Sequence, residues 1–172
     1  MRNSKERIDL DANTCIRTKR DSREYKDEPI SEEMLQRILQ AGRMAGSSKN
    51  TQPWHFIVLR EDARKAELAK CGDFAKHVPA APLVIAVVLS SGGGAFDAGR
   101  AAQNMMLAAW AEGITSCPVA MHHGDCASDV LGLPDDYRTA IVISFGYPES
   151  AASLHRGIPR NALSDLVHHE RW

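Results

Sequence analysis

The sequence has little net charge, no long apolar run and no leader-like start. Its 172 residues carry 21 lysines and arginines against 22 acidic residues, which gives a formal net charge of −1. This balance provides no global attraction to nucleic acid or to anionic membranes, so we expect neither as a partner. No stretch approaches the roughly 18 apolar residues of a membrane span, and the first residues lack the apolar core of a signal peptide. We therefore expect a cytoplasmic protein.

Cysteine is scarce, and its spacing follows no metal or redox motif. The four cysteines, Cys15, Cys71, Cys117 and Cys126, include no CxxC pair. Scattered cysteines in a chain of this length are typical of reduced thiols, so we expect no disulfide and no zinc site. The adjacent pair His122-His123 also matches no metal motif, and neighbours on an extended chain point to opposite sides. We expect no bound metal.

Common catalytic motifs are missing as well. The sequence contains no GxSxG, HExxH or GxGxxG, and the glycine run after Ser91 lacks the Lys-Ser/Thr pair of a phosphate loop. We therefore expect no side-chain nucleophile, and no protein residue is assigned as catalytic.

Apolar periodicity predicts one α/β domain over residues 1–172. Ser31 is a good helix N-cap, and Gly46 is the expected C-terminal glycine of the same helix. Pro118 predicts that its strand is irregular or lies at a sheet edge. The predicted helices cover residues 8–18, 31–45, 61–70, 95–112 and 126–131, and the predicted strands cover 55–59, 83–89, 114–120 and 139–146. This order predicts a mixed central sheet flanked by helices.

Two predicted elements are more apolar than the rest. The run 83–89 fits a strand buried on both faces, and the helix 95–112 is apolar nearly all round. That helix should occupy the centre of the core or lie partly in a subunit interface. The C-terminal tail keeps apolar residues that should dock on a surface: Leu163, Leu166, Val167 and Trp172.

A polar turn over residues 46–53 separates a predicted helix from a predicted strand. Its small side chains allow a ligand to approach the backbone closely, and Asn50 and Gln52 offer hydrogen-bond donors and acceptors. The alternative is a solvated loop without a ligand, because the same residues are common in loops.

Two basic patches lie over residues 17–23 and 156–160. Lys19, Arg20 and Arg23 form a short cationic arc that suits a phosphate monoester, although a solvated turn with internal salt bridges is the alternative. Asp21 weakens this field unless its carboxylate turns away or pairs with a neighbouring arginine. Two basic patches and a polar turn suit a phosphorylated cofactor that carries the chemistry itself.

Four segments resemble motifs of the FMN-dependent nitroreductase family, in the same order. The most specific is Ser47-Ser48-Lys49-Asn50-Thr51-Gln52-Pro53-Trp54-His55-Phe56, which is similar to Ser-Ser-x-Asn-x-Gln-Pro-Trp-x-Phe. The other three are Lys19-Arg20-Asp21-Ser22-Arg23-Glu24-Tyr25, the helix 97–109, and Phe145-Gly146-Tyr147-Pro148 with Pro159-Arg160.

The resemblance implies an α/β (α+β) nitroreductase-like homodimer with FMN at each subunit interface. It implies that Arg23 lies near the N1–C2 carbonyl edge of the flavin and that the backbone of Ala120 faces the N5 edge. The other cofactor-binding residues that it implies are Lys19, Arg20 and Arg160 at the phosphate and ribityl chain, Asp21 beside them, and Ser47, Ser48 and Asn50, with the serines from the other subunit.

The resemblance also implies hydride transfer from NADH or NADPH to FMN, followed by ping-pong reduction of a nitroaromatic, quinone or related acceptor. Three positions depart from the family pattern: Lys19 replaces an arginine, Asp21 replaces a serine, and Ile158 replaces a cation. No clear counterpart of the family's asparagine and lysine beside the flavin pyrimidine occurs, though Lys76 or His77 could approach it. The alternatives are a flavin-fragmenting or dehalogenating relative and a non-catalytic FMN-binding module.

Overall fold

The computed structural model describes residues 11–154 and 159–172. Its α-helices and strands follow the predicted order closely. They are α1 (Ala12–Thr18), α2 (Glu32–Arg43), β1 (Trp54–Leu59), α3 (Asp62–Ala69), β2 (Leu83–Ser90), α4 (Ala95–Ala111), β3 (Thr115–Val119), α5 (Gly124–Leu131) and β4 (Tyr137–Gly146).

The strands form one sheet in the order β1-β2-β4-β3. Within residues 11–154 and 159–172 the three strand pairings are antiparallel, and an isolated bridge between Asp21 and Ser116 is parallel. The predicted α/β (α+β) class is confirmed. So is the edge position of the strand with Pro118, whose missing N–H would leave a gap in a central ladder.

Strand β2 separates two apolar cores. Its odd-numbered residues, such as Ile85, pack with α2 and α4, whereas its even-numbered residues, such as Val84, pack on the other face of the sheet. From Leu83 to Leu89 no residue is more than 2% exposed, which confirms the prediction of a strand buried on both faces. Alternation across the pleat assigns each side chain to one core.

Helix α2 begins as predicted and ends earlier than predicted. The Ser31 hydroxyl accepts a hydrogen bond from the Met34 N–H, but the helix stops at Arg43. The prediction that Gly46 terminates it was wrong. A Cβ on Gly46 would lie 2.4 Å from the nearest guanidinium nitrogen of Arg100, so this glycine leaves room for the end of that side chain.

Helix α4 buries one side and exposes the other. Ala101, Met105 and Ala109 lie in the core, whereas the side chain of Phe96 is 77% exposed and carries the Arg100 guanidinium 5.6 Å above its ring. The prediction of a buried helix therefore holds for one face. Among the described helices none is both long and apolar enough to span a bilayer.

The prediction of reduced cysteines was wrong for one pair. Cys71 and Cys126 form a disulfide, with Cα atoms 5.5 Å apart. They are separated by 55 residues and meet because α3 packs against α5. The spacing of the cysteines in the sequence does not predict this disulfide, because the packing of two helices brings them together and no local motif does.

Candidate functional site

The basic segment, residues 19–25, lies along the free edge of β3. Asp21 bridges to Ser116, the Ser22 N–H donates to the Ser116 carbonyl at 3.3 Å, and Tyr25 bridges to Pro148. Ser22 is fully buried, and its hydroxyl donates to the Glu24 carbonyl at 3.0 Å. The sheet therefore fixes the backbone that carries the cationic side chains.

The Tyr25 hydroxyl links this segment to β4 by hydrogen bonds. Its hydroxyl lies 2.6 Å from the Ser22 carbonyl and 2.7 Å from Ser144 Oγ, which in turn lies 3.2 Å from the Cys117 carbonyl. Burial raises the pKa of Tyr25 well above its usual value, so the phenol stays protonated. Sequence reasoning missed Ser144, whose one signal is a hydroxyl in an otherwise apolar strand.

The charges of the basic segment are partly paired. Lys19 forms an ion pair with Asp21, and its Nζ lies 3.7 Å from Met106 Sδ. Arg20 donates from Nη1 to the Lys19 carbonyl at 2.8 Å, and Arg23 is exposed. Asp21 thus pairs with the lysine and not with an arginine as considered above. Part of the positive field is offset within the segment.

We call Ala120 and Met121, the two residues that follow β3, the wall. Ala120 is exposed, and the preceding Cys117 has a buried thiol. Burial raises the pKa of Cys117, while the nearby charge of Arg23 opposes that shift. Arg23 therefore lies close enough to β3 to act on the Cys117 thiol, and its predicted position beside a flavin stays a prediction.

His77 lies in the same region and has an unsatisfied ring nitrogen. Its Nε2 is buried and has no hydrogen-bond partner in the described structure. Burial lowers the pKa of His77, and the Arg23 charge lowers it further, against a hydrogen bond to the Phe74 backbone. The ring is therefore neutral near pH 7. A buried polar atom without a partner costs free energy, so this nitrogen is a candidate for contact with a ligand.

The polar turn has a strained, closed backbone. The Ser47 hydroxyl accepts a hydrogen bond from the Gln52 N–H at 2.8 Å, and the Asn50 N–H donates to the Ser47 carbonyl at 3.1 Å. Lys49, Asn50 and Gln52 have positive φ values of 50°, 55° and 49°. Such conformations cost lysine and glutamine about 1–2 kcal/mol each, and strain of this kind is concentrated at functional sites. Ser48 and Asn50 are exposed.

The polar turn and the basic segment lie far apart on one chain. The turn precedes Trp54, which pairs with Leu89, whereas Ser116 beside the basic segment shares a row with Phe145 and Leu83. Three strand spacings across the sheet and six residues along β2 separate the two places by about 25 Å. One chain therefore does not bring Ser47, Ser48 and Asn50 to the basic segment.

The C-terminal patch is described in part. Arg160 is exposed in the tail, and its predicted position at the phosphate stays a prediction. Arg156 and Ile158 lie outside the described residues. The four apolar residues of the tail are exposed, from 45% for Val167 to 100% for Trp172, so their predicted docking would need another molecule.

The fold matches that of solved nitroreductase structures. The family model described as the nitroreductase family matches residues 16–91 and 90–147, and the chain belongs to that family. The predicted family and the nitroreductase-like fold are confirmed.

Relatives agree with this assignment. An Archaeoglobus fulgidus protein with the provisional name NADH dehydrogenase/NAD(P)H nitroreductase is 30% identical over 168 residues, which cover 91% of this chain and 96% of the relative. A solved structure of a provisionally named Desulfovibrio desulfuricans nitroreductase in complex with FMN is 30% identical, with a TM-score of 0.80 and coverage of 92% and 95%. An FMN-dependent nitroreductase of Clostridium difficile is 26% identical, with a TM-score of 0.79 and coverage of 92% and 98%.

Proposed function

We propose that this chain is an FMN-dependent oxidoreductase that uses NADH or NADPH and reduces a nitroaromatic, a quinone or a related acceptor by a ping-pong mechanism. The observation that supports it best is the basic segment fixed on the edge of β3 at Ser116, in a chain of the nitroreductase family. The similar D. desulfuricans structure contains FMN, and the name of the A. fulgidus relative includes NAD(P)H.

The residues in this region fit an FMN. Its pyrimidine edge carries one N–H donor between two carbonyl groups, and the partnerless Nε2 of His77 is a suitable acceptor if its shielding opens slightly. Arg23 supplies a cation in the same region, and Lys19 and Arg20 supply two more near the end of α1. Cationic and acceptor groups therefore occur together, as a phosphorylated, polar-edged ring system requires.

Each side chain has a definite task in this proposal. FMN held by these residues would supply the chemistry, which is hydride acceptance from the nicotinamide and electron transfer to the acceptor. Arg23 stabilises the negative charge that two-electron reduction places at the N1–C2 edge. Arg20 and Arg160 bind the phosphate with Lys19, whose pairing with Asp21 weakens its contribution. The Ala120 backbone borders the N5 edge.

A homodimer accounts for the remaining site residues. The separation of about 25 Å between the polar turn and the basic segment means that Ser47, Ser48 and Asn50 must reach the flavin of a second copy. Phe96 and Met44, exposed by 77% and 65%, provide an apolar surface near that turn for a partner. FMN then lies at the interface and is lined by both subunits.

The proposal is tested by reconstitution with FMN and by initial-rate kinetics. Flavin absorbance should be retained on gel filtration, and double-reciprocal plots with NADH or NADPH and a quinone should be parallel. Arg23→Gln should weaken FMN binding about tenfold, the loss expected for one charged hydrogen bond. The matched control Arg64→Gln, on α3 and away from the site, should leave it unchanged.

Three outcomes would contradict the proposal. Protein that binds no FMN is not a flavoprotein. Bound FMN that NAD(P)H reduces no faster than free FMN would indicate a binding module. Cleavage of reduced FMN in air would indicate the flavin-fragmenting alternative.

A further inference from the structure

The loop that follows α3 and the segment that leads from β3 into α5 are tied together at several points. We call residues 71–74 and 120–126 the clasp. The disulfide joins Cys71 to Cys126, and the His123 N–H donates to the Cys71 carbonyl at 3.0 Å. The Asp73 N–H donates to His122 Nδ1 at 3.2 Å, and the Asp73 carboxylate lies 3.1 Å from His123 Nε2. The second loop of the clasp contains Ala120.

The first loop of the clasp packs directly against the Ala120 backbone. A Cβ placed on Gly72 would lie 2.9 Å from the Ala120 carbonyl oxygen and 3.1 Å from Met121 Cε. The first loop therefore packs closely against the wall at Gly72. Cys71 is the residue immediately before this glycine. The ring of Phe74 packs edge-on against His122, with centroids 5.6 Å apart. Movement of the first loop would therefore change the position of the Ala120 backbone.

The disulfide is the strongest of these ties. The side chains of Asp73 and His123 are 54% and 60% exposed, and exposed pairs of this kind contribute little. The covalent bond also sits next to the one backbone hydrogen bond in the clasp, between His123 and Cys71. Cys71 is fully buried, whereas Cys126 is partly exposed.

We infer that the Cys71–Cys126 disulfide is a positioning pair that holds the Ala120–Met121 wall, so that the thiol state of the protein sets its affinity for FMN. This inference rests on the proposed function, because FMN is the ligand of the wall. A dithiol reductant opens the bond: its thiolate attacks one sulfur and the S–S bond breaks, which releases one protein thiolate and leaves a mixed disulfide. The second thiolate of the reductant then attacks the mixed disulfide and releases the other protein thiolate, and both protein thiolates take up protons. Two protein thiols form and the reductant becomes a disulfide.

The test compares FMN binding by air-oxidised and dithiothreitol-reduced full-length protein. Reduction should weaken binding about tenfold, the change expected when FMN must itself order about one wall residue. The double variant Cys71→Ser/Cys126→Ser should bind like the reduced protein and should not respond to dithiothreitol. The control Cys15→Ser should keep the response. The absorption spectrum of bound FMN should also differ between the two states, because the environment of the ring edge changes.

Two results would overturn the inference and leave the proposed function standing: equal FMN affinity and spectra in both states, or four titratable thiols in the air-oxidised protein. A protein that binds FMN in neither state would overturn the proposed function and this inference with it. If the double variant does not fold, hydrogen exchange of residues 119–123 in wild-type protein decides. Equal exchange before and after reduction would then overturn the inference.

Discussion

Tyr25→Phe is the sharpest test of how the basic segment is held on the sheet. The hydroxyls of Tyr25 and Ser144 lie within hydrogen-bond distance of each other, and each also contacts a backbone carbonyl. These carbonyls belong to Ser22 and Cys117, so the two hydroxyl protons are shared among three contacts. Removing the phenol oxygen leaves the Ser22 carbonyl without this donor. An unsatisfied group in such a buried place costs about 1–3 kcal/mol, and we expect that loss of unfolding free energy.

A double-mutant cycle with Ser144→Ala isolates the contact between the two hydroxyls. Because they share protons, their effects should not add, and a coupling energy of about 1 kcal/mol is expected. Urea unfolding at one fixed protein concentration measures it. FMN affinity should fall in Tyr25→Phe as well, since the cationic arc loses its anchor.

Tyr137→Phe is the matched control. Its ring, 5.1 Å from that of His55, lies at the other end of β4, and removal of its hydroxyl should change the unfolding free energy by less than about 0.5 kcal/mol. The reasoning would be refuted if Tyr25→Phe were no more destabilising than this control, or if its effect and that of Ser144→Ala simply added.

Three further expectations follow from close contacts and burial. Gly146→Ala should destabilise the protein by about 1–3 kcal/mol, because a Cβ there would lie 2.6–2.8 Å from the anchoring tyrosine, whereas Gly124→Ala, with no atom within 4 Å, should be tolerated; thermal melts compare them. Lys65→Met should cost about 1–3 kcal/mol in urea unfolding, because it leaves a backbone carbonyl at 2.7 Å without its donor, and an equal loss in Asp62→Asn would contradict this reason. The pKa of His77 is lowered in the folded state, so the unfolded chain binds more protons below about pH 6.5 and the free energy of unfolding falls on acidification. His77→Gln should remove this part of the pH dependence, and identical pH profiles of unfolding for the variant and the wild type would contradict this expectation.

Local patterns were sufficient to predict most elements of the fold. The apolar run of β2 and the Ser31 cap of α2 each depend on neighbours in sequence, and both were found as predicted. The helix ending at Gly132, whose φ is +64°, is another such case. The prediction for Gly46 failed because α2 ends at Arg43 and the glycine lies against the Arg100 side chain of another helix. A glycine is read as a cap from local sequence, but tertiary packing decides its use.

The candidate site was predictable as a set of residues and not as an arrangement. The cationic arc is contiguous in sequence, so Lys19, Arg20 and Arg23 could be named together. The ion pair between Lys19 and Asp21 depends on rotamers, and the buried nitrogen of His77 depends on how the loop before β2 packs. The distance between the polar turn and the arc depends on strand order, which the motifs do not encode.

The position of β2 has a consequence for how the chain reaches its fold. This strand is an uncharged, β-branched run, the kind of segment that aggregates when its edges are unpaired. On one edge of β2, Val84 pairs with Leu59, which is 25 residues earlier in the sequence. On the other edge, Leu83 pairs with Phe145, which is 62 residues later. At a synthesis rate of about 5–20 residues per second, the second edge of β2 waits roughly 3–12 seconds for its partner. Pro82 stands immediately before the strand and limits how far a foreign strand could extend along it.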